Sequence, residues 1–351
     1  MPAVTTRNAA IVGVACTLPR KRVTTDDLAA RVGGVDPKKI VAMTGIRERR
    51  VAAPEICASD LCEDAARRLI SGLGWEPDSI GALVFVSQSP DYFLPATACL
   101  LQQKLGLAKH CAAFDVNQGC SGYVYGLWLA ASLIEAGLER VLLLVGDTST
   151  RRVSEQDRSA VFLFGDTGSA TALERRPCDL HFVLGTDGAG GPNLIVPAGQ
   201  CRALSSPETL QPREAEGGNI RTAEQLYMNG AEVMAFTLRE VPKLWEEVLA
   251  LSGLDPATVD SVVMHQANRF IIETIAKRLK VPLEKVPLSI PELGNTSCAS
   301  VAITLTACLR DQLASSTMRL AMLGFGVGWS WGACIGNVGP ICIPDFAEIG
   351  D

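Results

Sequence analysis

Residues Ala65–Gln88 read AARRLISGLGWEPDSIGALVFVSQ, and residues Glu246–Gln266 read EEVLALSGLDPATVDSVVMHQ. Each passes from a helical pattern through Ile-Ser-Gly-Leu or Leu-Ser-Gly-Leu to a turn marked by Pro77 or Pro256, then to an apolar strand ending in glutamine. Roughly thirty residues beyond each glutamine comes a small-residue helix start, Gln118-Gly119-Cys120-Ser121-Gly122 in one case and Gly294-Asn295-Thr296-Ser297 in the other. Each copy then returns to a strand and a glycine-bearing turn, Phe164–Gly168 (FGDTG) and Gly324–Gly328 (GFGVG). The same elements in the same order describe a duplicated chain joined near Arg175–Leu184. In a pseudo-twofold pair, equivalent strand ends meet at one central site.

Around these anchors, short apolar runs mark strands at Ala10–Val14, Ile80–Val86, Cys111–Val116, Val141–Val145, Ser261–Met264 and Leu320–Leu323. Helical patterns cover Asp60–Leu73, Gly122–Gly137, Ala231–Leu251 and Arg269–Leu279. The alternation predicts an α/β fold with helices over a mostly parallel sheet. Its two units span 1–178 and 179–351, consistent with a length above that of a usual single domain. Gly188–Thr222 is rich in Gly, Pro, Ser and Glu and reads as a long surface loop, a lid or part of a subunit interface.

A net charge of -6 without blocks of like charge gives no sign of a nucleic-acid or membrane partner. No apolar run approaches a membrane span, and Ala9–Cys16 reads as a first strand rather than a signal peptide, so a cytoplasmic protein is expected. Twelve cysteines and three histidines contain neither CxxC nor HxxxH, so neither a zinc site nor a disulfide framework is expected. In a reducing compartment most of these cysteines are small buried hydrophobes.

Cys120 differs from the others in context. It lies where a strand becomes a helix, with Gly119 and Gly122 removing side chains that would block access. Backbone N–H groups at a helix start favour an anion, so a nucleophilic cysteine of lowered pKa is expected there. Cys298 is nearest in kind but lacks flanking glycines. His265 ends the Ser261–Met264 strand, and Asn295 follows Gly294. Either residue alone suits a structural role, a core histidine or a turn asparagine. Side by side, they could supply two donors to one oxyanion.

NQGCSGYVYGL (Asn117–Leu127), HQANRF (His265–Phe270), GNTSCAS (Gly294–Ser300) and GFGVGWSWG (Gly324–Gly332) together resemble the signatures of the β-ketoacyl-ACP synthase III family. TGIRERR (Thr44–Arg50) and the segment from Asp157 to Asp166 belong to the same resemblance, which runs from about residue 9 to 338. It implies a thiolase fold, two βαβαβαββ halves in a five-layered α-β-α-β-α core, a homodimer, and decarboxylative Claisen condensation. Cys120 would carry the acyl group, with the N–H groups of Cys120 and Val327 as oxyanion hole. His265 and Asn295 would stabilise the enolate of a malonyl thioester. Arg158 and Asn268 match CoA- or pantetheine-contacting positions, and Arg269 is a candidate contact for acyl carrier protein. Acyl-CoA or acyl-ACP and malonyl-CoA or malonyl-ACP are the implied substrates, with no metal or other cofactor.

The chain also departs from that pattern. A Trp and an Arg that usually precede the Thr-Gly-Ile-Arg motif are Lys39 and Met43 here, which points toward a carrier-protein donor. In Ser87–Ala98 the residue before proline is Leu94, with Tyr92 and Phe93 upstream, and this region closes the acyl pocket across the dimer in the family. Leu94 and Phe93 thus become candidate determinants of acyl length or packing residues of an interface. With the long loop, these changes suggest a specialised paralogue. The alternative activity is acyl transfer from Cys120 to a hydroxyl or amine without carbon–carbon bond formation. A non-catalytic partner subunit fits less well, because Cys120, His265 and Asn295 are all retained.

Overall fold

A computed structural model describes residues 2–350. Its first half carries β1 (Ala9–Pro19), α1 (Ala58–Leu73), β2 (Ala82–Val86), α2 (Thr97–Lys104), β3 (Ala112–Val116), α3 (Gly122–Glu135), β4 (Arg140–Asp147) and β5 (Thr167–Arg175). The second half carries β6 (Leu180–Thr186), α4 (Gly230–Ser252), β7 (Ser261–Met264), α5 (Arg269–Leu279), α6 (Ser300–Cys308), β8 (Met318–Gly326) and β9 (Ser330–Val338). One sheet orders its strands β1-β5-β4-β2-β3 and the other β6-β9-β8-β7.

The two long apolar patterns set the layers. Along β2, Leu83 and Phe85 face one cluster with Leu69 of α1, whereas Val84 and Val86 face the other side with Val124 and Leu127 of α3. Along β8, Leu320 and Met322 join that same middle cluster, while Ala321, Leu323 and Phe325 pack outward on Val241 and Ile272 of α4 and α5. Helices α3 and α6 therefore lie between the sheets, and both are apolar on every side, as a doubly covered helix must be. The result is the five-layered thiolase arrangement.

Two details differ from the sequence expectation. The sheets are mixed rather than mostly parallel. β2 is parallel to β3 and β4, and β7 to β8, but β4–β5, β1–β5, β8–β9 and β6–β9 are antiparallel. A tight turn, not a crossover helix, joins β8 to β9, and such a turn permits only antiparallel pairing. Second, β3 has no counterpart in the other half. Between α5 and α6 the described residues form only short helical turns, in a segment where Pro282, Pro287 and Pro291 remove the donors a strand needs.

The duplication itself is visible in backbone geometry. Gly74 and Gly253 end α1 and α4 in the left-handed region, with φ of 62° and 67°. Single 3-10 turns at Pro77–Ser79 and Pro256–Thr258 then lead into β2 and β7. This register sets Val86 opposite His265 and Gln88 opposite Ala267, so the two glutamines of the sequence repeat are not equivalent. The chain leaves the first sheet after Arg175 and enters the second at Leu180. Both ends cross back: Ala3–Thr6 pairs with β6, and Ala347–Ile349 pairs with β1.

Candidate active site

Cys120 follows β3 and stands two residues before α3, with 9% of its surface exposed. Glycine is required on both sides of it. A Cβ on Gly119 would lie 2.3 Å from Val327 Cγ1 and 2.4 Å from Gln88 Oε1, and one on Gly122 would lie 2.8 Å from Val86 Cγ1. The facing turn after β8 is equally close, since a Cβ on Gly326 would fall 2.6 Å from Cys120 Sγ. Gly326 has φ of 156°, and Gly328 has φ of 135°. The backbone N–H groups of Val327 and of Cys120 itself both address the thiol. Burial nevertheless dominates and pushes the Cys120 thiol up to about 11, with the Val327 and Cys120 N–H groups opposing and the Asp147 carboxylate adding to the rise. The expectation of a lowered pKa thus fails for the free protein. The helix start is present, but desolvation of the charged form outweighs it.

His265 comes directly off β7, held by a 2.7 Å bond from its N–H to the Leu323 carbonyl, and is 2% exposed. Its ring stands edge-on to Phe325 at 5.7 Å, and its Nδ1 lies 2.7 Å from Ser300 Oγ at the start of α6. Burial lowers its pKa to about 4, so the imidazole is neutral at physiological pH, and a hydrogen bond with the Ser297 backbone only partly offsets this. A neutral ring of this kind can donate one hydrogen bond without surrendering a proton.

Asn295 is pinned between the halves. Its N–H donates to the Leu163 carbonyl at 2.8 Å, and its carbonyl accepts from Gly165 N–H at 3.0 Å. The side-chain Oδ1 accepts from Ser297 N–H at 3.0 Å, and Nδ2 lies 3.4 Å from the carbonyl of Ala267, two residues past His265. Gln266 braces the same corner, its Oε1 accepting from Ser289 and Ile290 N–H and its Nε2 donating to the Met264 carbonyl. Cys120 and His265 therefore meet the Gly324–Gly328 turn, and Asn295 is tied to the backbone two residues past His265.

The remaining sequence candidates lie farther out. Arg158 is exposed, with Nη2 donating to the Gly33 carbonyl and its N–H donating to Asn219 Oδ1. Asn268 caps α5 by accepting from Ile271 N–H at 2.8 Å, while exposed Arg269 pairs with Glu273 at 2.6 Å and packs on Gly45. Lys39 and Met43 are exposed on the helix Pro37–Thr44, which packs against α5. Phe93 and Leu94 are 72% and 76% exposed, so within one chain they line no interior pocket. Residues overlooked in the sequence are Ser121, Ser300, Ser330 and Asp147. Serine directly after the candidate nucleophile, at a helix N-cap, is the one signal that pointed to any of them.

Two facing sheets around a shared layer of helices, with Cys120 and His265 at a glycine turn and Asn295 beside the His265 corner, define a thiolase-type acyl-transferring enzyme. Residues 114–188 match the family described as 3-oxoacyl-[acyl-carrier-protein (ACP)] synthase III, and residues 249–338 match its C-terminal part. The β-ketoacyl-[acyl-carrier-protein] synthase III of Caldanaerobacter subterraneus is 36% identical over 331 residues, covering 93% of this chain and 97% of that one. The crystal structure of a 3-oxoacyl-(acyl-carrier protein) synthase from Burkholderia xenovorans superposes with a TM-score of 0.93 at 43% identity over 99% of both chains. A priming β-ketosynthase of the R1128 polyketide pathway superposes with a TM-score of 0.82 at 27% identity, covering 95% of this chain and 97% of that one. The chain belongs to the β-ketoacyl-ACP synthase III family. It is an acyl-transferring condensing enzyme, and the likeness disfavours transfer to a hydroxyl or amine.

Proposed function

We propose that Cys120 is the nucleophile of a two-stage condensation, with His265 and Asn295 serving the second stage. The thiol attacks an acyl thioester, and the Cys120 and Val327 N–H groups hold the tetrahedral oxyanion. The departing thiol takes the proton that Cys120 gives up. A malonyl thioester then loses CO2, and its enolate oxygen is held by neutral His265 and the Asn295 amide. The carbanion attacks the acyl-Cys120 carbonyl, giving a β-ketoacyl thioester and expelling Cys120 as a thiolate, which takes a proton from water to restore the thiol. The observation that carries this reading is the close approach of the two glycine-bearing turns at Cys120, where a Cβ on Gly326 would fall 2.6 Å from Sγ and one on Gly119 would fall 2.3 Å from Val327 Cγ1. The reaction draws on thioester substrates alone, without metal or other cofactor.

The donor enters past Asn268, Arg158 and Arg269, as acyl-CoA or, in keeping with Lys39 and Met43, as acyl carrier protein. We place the enzyme in a reducing cytoplasm as a homodimer. Twelve free cysteines support the former. The latter is supported by β3, an edge strand whose outer side is unpaired among the described residues, and by the exposed Phe93 and Leu94, which would reach the partner's acyl pocket. Among the described residues no helix is long and apolar enough to cross a membrane. The changes at Lys39, Met43 and Leu94 and the 188–222 loop support a specialised paralogue with its own primer.

The test is intact-mass analysis of the wild type and Cys120→Ala with a panel of acyl-CoAs and acyl carrier proteins. A mass gain on the wild type alone is expected, discharged with CO2 release by malonyl carrier protein. Absence of acylation on folded protein under every condition would sink the reading.

A further inference from the structure

The two N–H groups at Cys120 Sγ come from opposite halves of the chain, so their spacing depends on what ties the two turns together. The turns are already in contact: a Cβ on Gly324 would lie 2.8 Å from Ser121 Cα. One hydrogen-bonded chain crosses between them. Gln118 Nε2 donates to Ser121 Oγ at 3.1 Å, Ser121 Oγ lies 2.7 Å from Ser330 Oγ, and Ser330 Oγ donates to the Val327 carbonyl at 2.7 Å. Each hydroxyl has a single proton. Ser330 gives its proton to a carbonyl, which only accepts, so Ser121 must donate to Ser330 and accept from Gln118. The direction of the chain is therefore fixed, and both hydroxyls are buried, Ser121 at 0% and Ser330 at 2% exposure.

Two further features favour this arrangement over ordinary local bonding. Ser121 occupies the N-cap of α3 yet makes no capping hydrogen bond, although serine is favoured there for that purpose. Its hydroxyl is turned toward the second half instead. Gly328 leaves the necessary room, since a Cβ there would lie 3.3 Å from Ser330 Oγ and 2.9 Å from Ser330 N.

We propose that Ser330, acting through Ser121 and Gln118, is a positioning residue that fixes Val327 against Cys120 and thereby sets the reactivity of the Cys120 thiol. Its bearing on acyl transfer rests on the role proposed for Cys120 above. Two readouts on Ser330→Ala, Ser330→Thr and Ser121→Ala test it. The first is the pH profile of Cys120 alkylation by iodoacetamide, followed on the Cys120 peptide because Cys99 and Cys201 are exposed and would react as well. The second is the single-turnover rate of acylation against the KM for the acyl donor.

Ser330→Ala and Ser121→Ala should move the alkylation midpoint upward by about half to one pH unit. Both should slow acylation roughly 10- to 100-fold, with KM within about twofold, less than outright loss of an oxyanion donor. Ser330→Thr, which keeps the hydroxyl, should restore most of both. Unchanged midpoint and rate in folded Ser330→Ala, or a threonine variant no better than alanine, would overturn the proposal. Should thermal melting show Ser330→Ala unfolded, Ser121→Ala decides, because its hydroxyl caps nothing. The alkylation midpoint needs no substrate. A shifted midpoint in a protein that accepts no acyl group would keep the positioning chain and overturn the acyl-transfer role instead.

Discussion

Two cysteines stand two residues ahead of the two central helices, Cys120 before α3 and Cys298 before α6, related by the internal duplication. Their surroundings have diverged. Cys120 meets two backbone N–H groups and a glycine turn. Cys298 is fully buried, with its Sγ 3.2 Å from Asp147 Oδ2. Burial first, and then that carboxylate, push the Cys298 thiol well above its ordinary value. The start of α6 serves a different end, because Ser297 N–H holds Asn295 and Ser300 Oγ holds His265. One helix start presents a thiol and the other a backbone N–H and a hydroxyl that hold two side chains. Position in the fold thus does not by itself set a thiol's surroundings: burial raises both, Asp147 adds to both, and only Cys120 has backbone N–H groups opposing the rise.

The sharpest way to break this comparison is to remove each thiol in turn. Cys120→Ala should lower turnover by about 10⁴-fold or more, as loss of a nucleophile does, whereas Cys298→Ala should stay within about threefold. Turnover measured with malonyl carrier protein checks this, and equal losses would void the distinction. The second helix start is probed by His265→Ala and Asn295→Ala. Each should slow CO2 release by roughly 10²- to 10³-fold while leaving Cys120 acylation, read by intact mass, within a few-fold.

Asp147 faces both thiols, so Asp147→Asn should make both more acidic, and Cys120 alkylation at pH 8 should run about 3- to 10-fold faster. A slower reaction would show that the carboxylate acts mainly by bracing Ser87, Gln88 and Ser89, whose groups donate to it. The smallest effect concerns stability. His265 has a folded pKa of about 4, below its unfolded value near 6.5, so the fold binds fewer protons than the open chain. Its contribution is complete above about pH 6.5 and is lost progressively as pH falls toward 4. At pH 5.5 the wild type should have lost about 1.2 kcal/mol relative to pH 7 through this residue. In His265→Asn that part of the loss should disappear, visible as a Tm gap between the proteins that changes by roughly 2 °C across the same interval.

The duplicated frame was legible because Gly74, Gly253, Pro77 and Pro256 mark backbone turns that only particular residues tolerate, and such residues announce themselves in sequence. The backbone settings of Cys120, His265 and Asn295, the candidate site residues, were legible for the same reason, each lying beside a glycine or at the end of an apolar strand. The hydroxyls of Ser121, Ser300 and Ser330 were not. Serine is common, and nothing local tells whether it bonds its own helix or a strand two hundred residues away. The pKa of Cys120 was also beyond sequence, because desolvation depends on how closely the two halves shut. The repeat register slipped at its glutamines, since Gln88 and Gln266 share only a letter and not a backbone position.

The crossing of the chain ends has a consequence in time. Arg22 and Glu348, ion-paired across the first sheet's outer margin, stand 326 residues apart. At about 5–20 residues per second of synthesis, the outer side of β1 waits on the order of 15–60 seconds before Cys342 is made to bond Val12 and Val14 and Ala347–Ile349 to pair with Thr17–Pro19. During that interval the nascent first half carries an open, apolar strand edge, the kind of surface on which chains of one sequence pair with each other. Cellular yield of this enzyme should therefore depend on what shields β1 until Cys342 and Ala347–Ile349 are made.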